Sequence, residues 1–342
     1  MDTKKLGRQT VRFADPPAIA GFGSAVGTKE RQGPLGPCFD YASQDDTFAQ
    51  MSWEKAETAM QKQALAFALE RAGIRAEQLD YVFAGDLLNQ CIATSYSLRA
   101  QNVPFFGLYG ACSTMAEGLS LGAMLVEGGF ASYVAALTSS HFCAAERQYR
   151  TPLEYGCQKS PTAQWTATGS GAVVLSRRGK GPFLTHVTTG KVVDKGLRDT
   201  SNMGAAMAPA AYATLRAHFQ ETGRDPSFYD LIVTGDLGSL GKEIVLDFFR
   251  RDGVDLSGLY NDCGVMLFDL EKQDVHAGGS GCGCSAVVLT GHLLGEMVRG
   301  TCRNLLFCGT GALHSPTSAL QGESIPGICH AVAIAAEKGA VS

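Results

Sequence analysis

An internal duplication restricts the fold of this chain more than any single motif does. Residues 73–86 read GIRAEQLDYVFAGD and residues 223–236 read GRDPSFYDLIVTGD, and the two segments align without a gap. A helical pattern precedes each of them, from Trp53 to Arg71 and from Met203 to Phe219. Self-similarity of this kind indicates a repeated structural unit. The sequence therefore predicts two similar halves, residues 1–185 and 186–342, related by a pseudo-twofold axis.

The predicted elements alternate between buried strands and helices, which indicates an α/β fold with mostly parallel strand neighbours. In the first half, strands are predicted from Ala18 to Gly23, Leu79 to Ala84 and Ser132 to Leu137. A long loop is predicted from His141 to about Gln164, after which residues 168–175 return to the sheet.

Composition excludes several classes of protein. Of 342 residues, 45% are hydrophobic and 18% charged, which is typical of a globular chain with a large core. The net charge is −4 and there is no run of Lys or Arg, so no nucleic-acid partner is expected. The start lacks the apolar segment of a secretory signal, and no stretch is long enough to span a bilayer. We therefore expect an intracellular protein.

Eleven cysteines are present, and most lie in runs of small residues typical of buried, reduced thiols. The spacing of Cys282 and Cys284 can ligate a metal, but nothing nearby completes a tetrahedral set. No metal site is predicted.

Cys112 lies between small residues where an extended segment turns into a helix that runs to Gly129. The first amides of such a helix, from Ser113 to Met115, have no intrahelical acceptor, and together with the helix dipole they favour a thiolate or a bound carboxylate. Cys112 is therefore a candidate nucleophile, a thiol lining a ligand pocket, or a small buried residue.

Four further side chains are candidates on the first-half loops. Asp86 follows a buried strand, where a carboxylate either caps a turn or helps to hold calcium or a pocket donor. His141 either faces a ligand carboxylate or caps its strand, and Arg147 and Lys159 are the nearest cations, unless they only solvate the surface. The second-half counterparts Asp236 and His314 are interpreted as structural.

The duplicated α/β plan with a cysteine at a strand-to-helix turn resembles the thiolase superfamily. The resemblance implies a five-layered α-β-α-β-α fold and a homodimer. In that superfamily two further groups from the second half, commonly His/His or His/Asn, assist the nucleophilic cysteine. The matching stretches here, Thr234 to Gly238 and Gly278 to Gly283, contain neither residue. Claisen condensation is therefore not expected, because no base or oxyanion donor is supplied.

Longer motifs are similar to those of the stage V sporulation protein AD family of spore-forming bacteria. They are the segments at 84–90, 110–113, 138–141, 145–148, 154–156, 158–159, 208–211 together with Gly204, 234–237 and 278–281. This resemblance implies non-catalytic binding of dipicolinic acid (pyridine-2,6-dicarboxylate) or its calcium chelate, for uptake into the spore and release in germination. It also implies a peripheral position on the inner spore membrane, with other stage V A-group sporulation membrane proteins as partners and no cofactor beyond Ca²⁺ carried in with dipicolinate.

No catalytic residue is predicted on this interpretation. The predicted ligand-binding residues are Asp86, Asn89, Cys112, Ser113, Thr114, Ser140, His141, Arg147, Lys159, Cys284 and Ser285. Two alternatives remain: a thioester-using acyltransferase or condensing enzyme with Cys112 as nucleophile, and a purely structural scaffold of a membrane complex.

Overall fold

A computed structural model describes residues 4–149 and 159–339 of the chain. The motifs noted at 154–156 and at Gln158 lie outside the described residues. No helix within the described ranges combines the length and apolar character needed to cross a bilayer.

The described residues form fourteen strands and eleven α-helices. The strands are β1 Thr10–Arg12, β2 Ala18–Val26, β3 Tyr41–Ala42, β4 Tyr81–Gly85, β5 Phe105–Gly107, β6 Tyr133–Ser140, β7 Trp165–Thr166, β8 Gly169–Ser176, β9 Phe183–Thr188, β10 Leu231–Thr234, β11 Tyr260–Asp262, β12 Gly279–Ser280, β13 Asn304–Ala312 and β14 Gly327–Ala335. The helices are α1 Thr28–Arg31, α2 Trp53–Ala72, α3 Ile92–Leu98, α4 Thr114–Glu127, α5 Phe142–Tyr149, α6 Met203–Thr222, α7 Gly238–Arg251, α8 Cys263–Leu267, α9 Cys282–Val288, α10 Leu294–Arg299 and α11 Pro316–Leu320. A π-helical turn, Leu289–Leu293, joins α9 to α10.

The strand order confirms the duplication. The main path of the large sheet runs β11-β10-β13-β14-β9-β2-β8-β6-β4-β5. When the five main strands of each half are numbered in chain order, both halves read 3-2-4-5-1, and the two first strands, β2 and β9, meet in the middle. The predicted boundary between the halves, after residue 185, stays a prediction, and that residue lies within β9.

The expectation of mostly parallel neighbours is wrong. In each half the second strand pairs in parallel with the third and fourth, whereas the fourth, fifth and first strands pair antiparallel. The reason is that the connection from β6 to β8, and likewise from β13 to β14, returns to the same end of the sheet. Strands joined at one end run antiparallel.

Helices lie on both faces of each half-sheet, which gives the five predicted layers. Helix α2 packs on β2, β6 and β8, and α6 packs on β13 and β14. Between them α4 contacts β4, β6 and β8 of the first half and β13 and β14 of the second. Small residues allow this close approach: a Cβ at Gly309 would lie 2.7 Å from Cβ of Ala116 on α4.

The repeated sequence segments form the same local structure twice. Both α2 and α6 contain 20 residues and end at a glycine in the left-handed region, Gly73 at φ 66° and Gly223 at φ 69°. Glycine adopts this conformation without a Cβ penalty. At the other end, the side chains of Ser52 and Asn202 accept hydrogen bonds from the third residue beyond them, which satisfies one free helix amide in each case.

The predicted loop after His141 is in part a helix. Residues 142–149, FCAAERQY, form α5 and bury Ala144 and Ala145. Ala, Glu, Arg and Gln are good helix formers, so local propensity was present in the sequence but was not recognised. Helix α5 forms part of the wall of the cavity described next.

Candidate functional site

A cavity of about 580 Å³ lies between the two halves, and Cys112 is part of its wall. Its wall combines small and apolar side chains with two carboxylates, two cations and several hydroxyls. The lining residues are Leu87, Ala111, Cys112, Ala145, Glu146, Tyr149, Lys159, Ser160, Ala163, Gln164, Thr166, Arg198, Thr200, Ser201, Met203, Met207, Asp236, Ser280, Gly281, Ala312, His314, Pro316, Ala319 and Leu320.

Cys112 is held by a strained turn. A 3-10 turn, Ala111–Ser113, precedes α4, and Ala111 has φ 53°, a left-handed conformation that non-glycine residues adopt at a cost. The amide of Ser113 donates to the carbonyl of Gly110 at 3.2 Å, and the hydroxyl of Ser113 donates to the same carbonyl at 2.6 Å. The hydroxyl of Thr114 donates to the Ala111 carbonyl at 2.7 Å. Ser113 and Thr114 thus stabilise the turn, and neither lines the cavity.

Asp236, from the second half, lies beside Cys112. It follows β10, and its carboxylate accepts hydrogen bonds from the hydroxyl of Thr310 at 2.8 Å, the hydroxyl of Ser280 at 3.1 Å and the amide of Gly281 at 3.0 Å. The Cys112 thiol lies beside the same carboxylate, close enough for each group to shift the pKa of the other. Asp236 was interpreted as structural from the sequence, yet it lies on the cavity wall.

These surroundings keep the Cys112 thiol protonated. Burial is the main cause that raises its pKa well above the ordinary value, and the neighbouring Asp236 carboxylate and Cys282 add to the rise. The pKa of Asp236 is itself raised by burial, with its hydrogen bonds and the neighbouring thiol opposing that shift. The sequence-based expectation that the helix start favours a thiolate is therefore wrong, because desolvation and a nearby carboxylate outweigh the helix dipole.

Cys282 is the second thiol near this turn, and it is fully buried. It is the first residue of α9, and its thiol donates to the carbonyl of Ala111 at 3.1 Å. In the sequence Cys282 lies in a glycine-rich turn, and neither ligand binding nor metal binding is predicted for it. The contact ties the second-half helix to the turn that carries Cys112.

Two cations line the cavity. The Lys159 ammonium lies 3.5 Å from a carboxylate oxygen of Glu146 and within 4.7 Å of the ring centroids of Phe142 and Trp165, a buried setting. Arg198 is exposed and makes no hydrogen bond or ion pair with a described residue. Lys159 was predicted as a ligand residue, whereas Arg198 was not.

Asp86 lies away from the cavity wall. Its carboxylate accepts from the amide of Leu88 at 2.9 Å and from the amide and hydroxyl of Thr94 at 2.8 and 2.6 Å. These bonds fix the loop after β4 and the start of α3, and the residue is buried. The geometry is that of a cap.

Four other predicted residues also lie outside the lining. His141 is buried, with Nε2 2.7 Å from the carbonyl of Asp46 and its ring beside Trp53. Ser140 donates to the carbonyl of Ala167 at 2.7 Å and accepts from the amide of Gly283 at 3.0 Å. Cys284 and Ser285 are buried within α9.

Asn89 and Arg147 line a separate depression of about 280 Å³. Arg147 forms an ion pair with Glu54 there, and Asn89 exchanges hydrogen bonds with Gln148. Of the eleven predicted ligand residues, the structure therefore brings Cys112 and Lys159 together in the main cavity and places the others elsewhere.

Several cavity residues were missed because their signal is three-dimensional. Asp236 and His314 carry a sequence signal, since they are the counterparts of Asp86 and His141, but Arg198 and Tyr149 come from a loop and a helix end that only the fold brings together. Among residues 4–149 and 159–339, no group of three His, Cys, Asp or Glu side chains is arranged to hold a metal ion.

Comparison with solved structures identifies the fold as thiolase-like. Cerulenin-bound OleA of Xanthomonas campestris superposes with a TM-score of 0.60 at 15% identity, covering 94% of this chain and 98% of that one. The 3-oxoacyl-[acyl-carrier-protein] synthase III of Aquifex aeolicus VF5 gives a TM-score of 0.56 at 13% identity, covering 93% and 99%. At these identities the likeness concerns the fold alone.

Sequence comparison is more specific. A curated relative, stage V sporulation protein AD of Bacillus subtilis (strain 168), is 43% identical over 337 residues, which cover 98% of this chain and 99% of the relative. The family model for stage V sporulation protein AD matches residues 7–335. This chain belongs to the stage V sporulation protein AD family.

Proposed function

We propose that this sporulation-family protein binds dipicolinate, free or as its calcium chelate, in the cavity beside Cys112 and performs no chemistry on it. The observation that carries the non-catalytic part is the Asp236 carboxylate beside the Cys112 thiol. Thioester chemistry needs a thiolate, and it develops an oxyanion that a fixed neighbouring carboxylate repels. Here burial and the Asp236 carboxylate disfavour the thiolate, and the same carboxylate disfavours the oxyanion.

The dicarboxylate part of the proposal is supported by family membership and by the cavity wall. Lys159 and Arg198 supply positive charge for carboxylates, and guanidinium groups bind carboxylates in a bidentate manner. Met203, Met207 and Ala111 supply apolar surface for a planar ring. Because Asp236 repels free anions, we expect the ligand carboxylates to face the two cations.

Calorimetric titration with dipicolinate and, separately, with its calcium chelate tests the proposal. We expect saturable heat with at least one form, and its absence at millimolar ligand would overturn the proposal. Cys112→Trp places an indole ring in the cavity and should strongly weaken binding, whereas a scaffold without a ligand would show no heat with any variant.

The alternative enzyme is supported by the thiolase-like fold, with Cys112 at the start of a central helix. It predicts a covalent acyl adduct. Incubation with acyl-CoA followed by mass spectrometry of the Cys112 peptide separates the two functions, since a stable mass increase on that peptide would favour the enzyme.

We further propose a homodimer that acts at the inner spore membrane with other stage V A-group proteins in dipicolinate uptake and release. Sedimentation of the purified protein tests the dimer. Fractionation of spores tests the location, and a protein found only in the soluble fraction, both with and without those partners, would contradict it.

A further inference from the structure

His314 is a cavity residue whose polar atoms the protein does not fully use. It follows β13, and its ring centroid lies 5.9 Å from that of Tyr149 on the cavity wall. Its Nδ1 is buried and has no hydrogen-bond partner among residues 4–149 and 159–339. Buried polar atoms are nearly always paired, so this nitrogen calls for an explanation.

His314 shares the cavity with several other titratable and charged groups. Besides His314, the titratable and charged groups that line the cavity are Cys112, Glu146, Tyr149, Lys159, Arg198 and Asp236. Of the two carboxylates, Glu146 pairs with Lys159 and Asp236 accepts several hydrogen bonds. No described carboxylate forms an ion pair with His314. Burial lowers the pKa of His314, with the backbone of Ser315 opposing the shift, so the ring is neutral near pH 7.

We propose that His314 takes up one proton from solvent when a dicarboxylate enters the cavity, and binds the ligand as an imidazolium. This inference rests on the proposed function and adds a proton linkage to it. The ligand brings two negative charges into a partly desolvated cavity, where an opposite charge strongly favours the protonated ring. A charge-assisted hydrogen bond to a ligand carboxylate would then use a ring nitrogen. Release of the ligand returns the proton to solvent.

The sign of the pH dependence follows from this linkage. The pKa of His314 is higher in the complex than in the free protein, so affinity is greatest below the free-protein pKa, where the ring is charged in both states. Between the two pKa values affinity falls by about tenfold per pH unit. Above the pKa of the complex it is low and constant.

Titration calorimetry with dipicolinate between about pH 5.5 and 8, where ordinary carboxylic acids are fully ionised, measures this directly. Repeating each titration in two buffers of different ionisation enthalpy gives the number of protons taken up. We expect uptake approaching one proton in the wild-type protein, and neither uptake nor pH dependence in His314→Gln. The matched control is His292→Gln, because Nδ1 of His292 also lacks a hydrogen bond but that residue does not line the cavity.

The outcomes separate this inference from the function on which it rests. A wild-type protein that binds no dipicolinate overturns both. Binding without proton uptake, which requires no variant to fold, overturns the His314 inference alone. Uptake that persists in His314→Gln but disappears in Asp236→Asn also overturns it and assigns the proton to Asp236.

Discussion

Asp86 and Asp236 occupy aligned positions in the two halves, within two residues of the end of the second main strand, yet they have different surroundings. Asp86 accepts its hydrogen bonds from Leu88 and Thr94, within its own half and close in sequence. Asp236 accepts from groups remote in sequence, and the thiol of Cys112 in the other half lies beside it. The duplication thus preserves a buried carboxylate at this strand end, whereas the elements packed around it decide between a structural and a ligand-site role.

The largest expected effect tests the structural side of this comparison. Asp86→Ala leaves two buried amides and a buried hydroxyl without their acceptor, which should cost about 3 kcal/mol of unfolding free energy. Denaturant unfolding measures the loss. The control is Asp225→Ala, because Asp225 accepts a similar amide and hydroxyl pair from Ser227 but is exposed. Equal losses in the two variants would contradict the assignment of Asp86 as a buried cap.

The next effect tests which cations belong to the ligand site. Arg198→Ala removes a guanidinium on the cavity wall and should weaken dipicolinate binding by roughly tenfold or more, the usual worth of a charged hydrogen bond. Arg147→Ala is the matched control, because Arg147 pairs with Glu54 outside the cavity. Titration calorimetry of dipicolinate binding to both variants shows which of the two cations contacts the ligand. If Arg147→Ala weakens binding and Arg198→Ala does not, the ligand lies in the smaller depression.

The fold was largely predictable because its signals are local and occur twice. The glycines that end α2 and α6, the periodic helices and the buried strands can all be recognised in short windows. The antiparallel pairing of β6 with β8 could not be recognised in this way, because it depends on the path of the connection between the two strands.

The site was less predictable than the fold, because its geometry depends on contacts between segments that are distant in sequence. Cys112 carries a local signal, a cysteine among small residues at a helix start. Its environment depends on Asp236 and Gly281, which lie more than a hundred residues away in sequence. The reversal from a predicted thiolate to a protonated thiol is a consequence of burial and of that carboxylate, and neither can be read from residues 109–114.

A smaller effect tests the ligand-site side of the comparison. Asp236→Asn removes the negative charge beside Cys112 and keeps the shape of the side chain. The pKa of the thiol should fall, which increases the fraction of thiolate at a given alkaline pH. The pH dependence of iodoacetamide alkylation, followed by mass spectrometry of the Cys112 peptide, measures the shift. Asp86→Asn is the control and should leave the alkylation of Cys112 unchanged.

An unchanged pKa in Asp236→Asn would mean that burial alone sets the thiol, since burial is the larger cause of the shift. The carboxylate would then oppose catalysis only through its repulsion of an oxyanion. That result would weaken the argument that Asp236 keeps Cys112 unreactive, and it would make the acyl-CoA experiment the deciding one.

The smallest expected effect is that of Cys112→Ala. If the thiol only lines the cavity, its loss leaves Asp236 with its bonds from Thr310, Ser280 and Gly281. Dipicolinate affinity should change by about threefold or less, because a thiol is a weak hydrogen-bond donor. Calorimetry with Cys112→Ala and Cys112→Ser measures this. A loss of binding in both variants would show that the sulfur itself contacts the ligand, and Cys112 would then join Asp236 as a group that distinguishes this strand end from the one at Asp86.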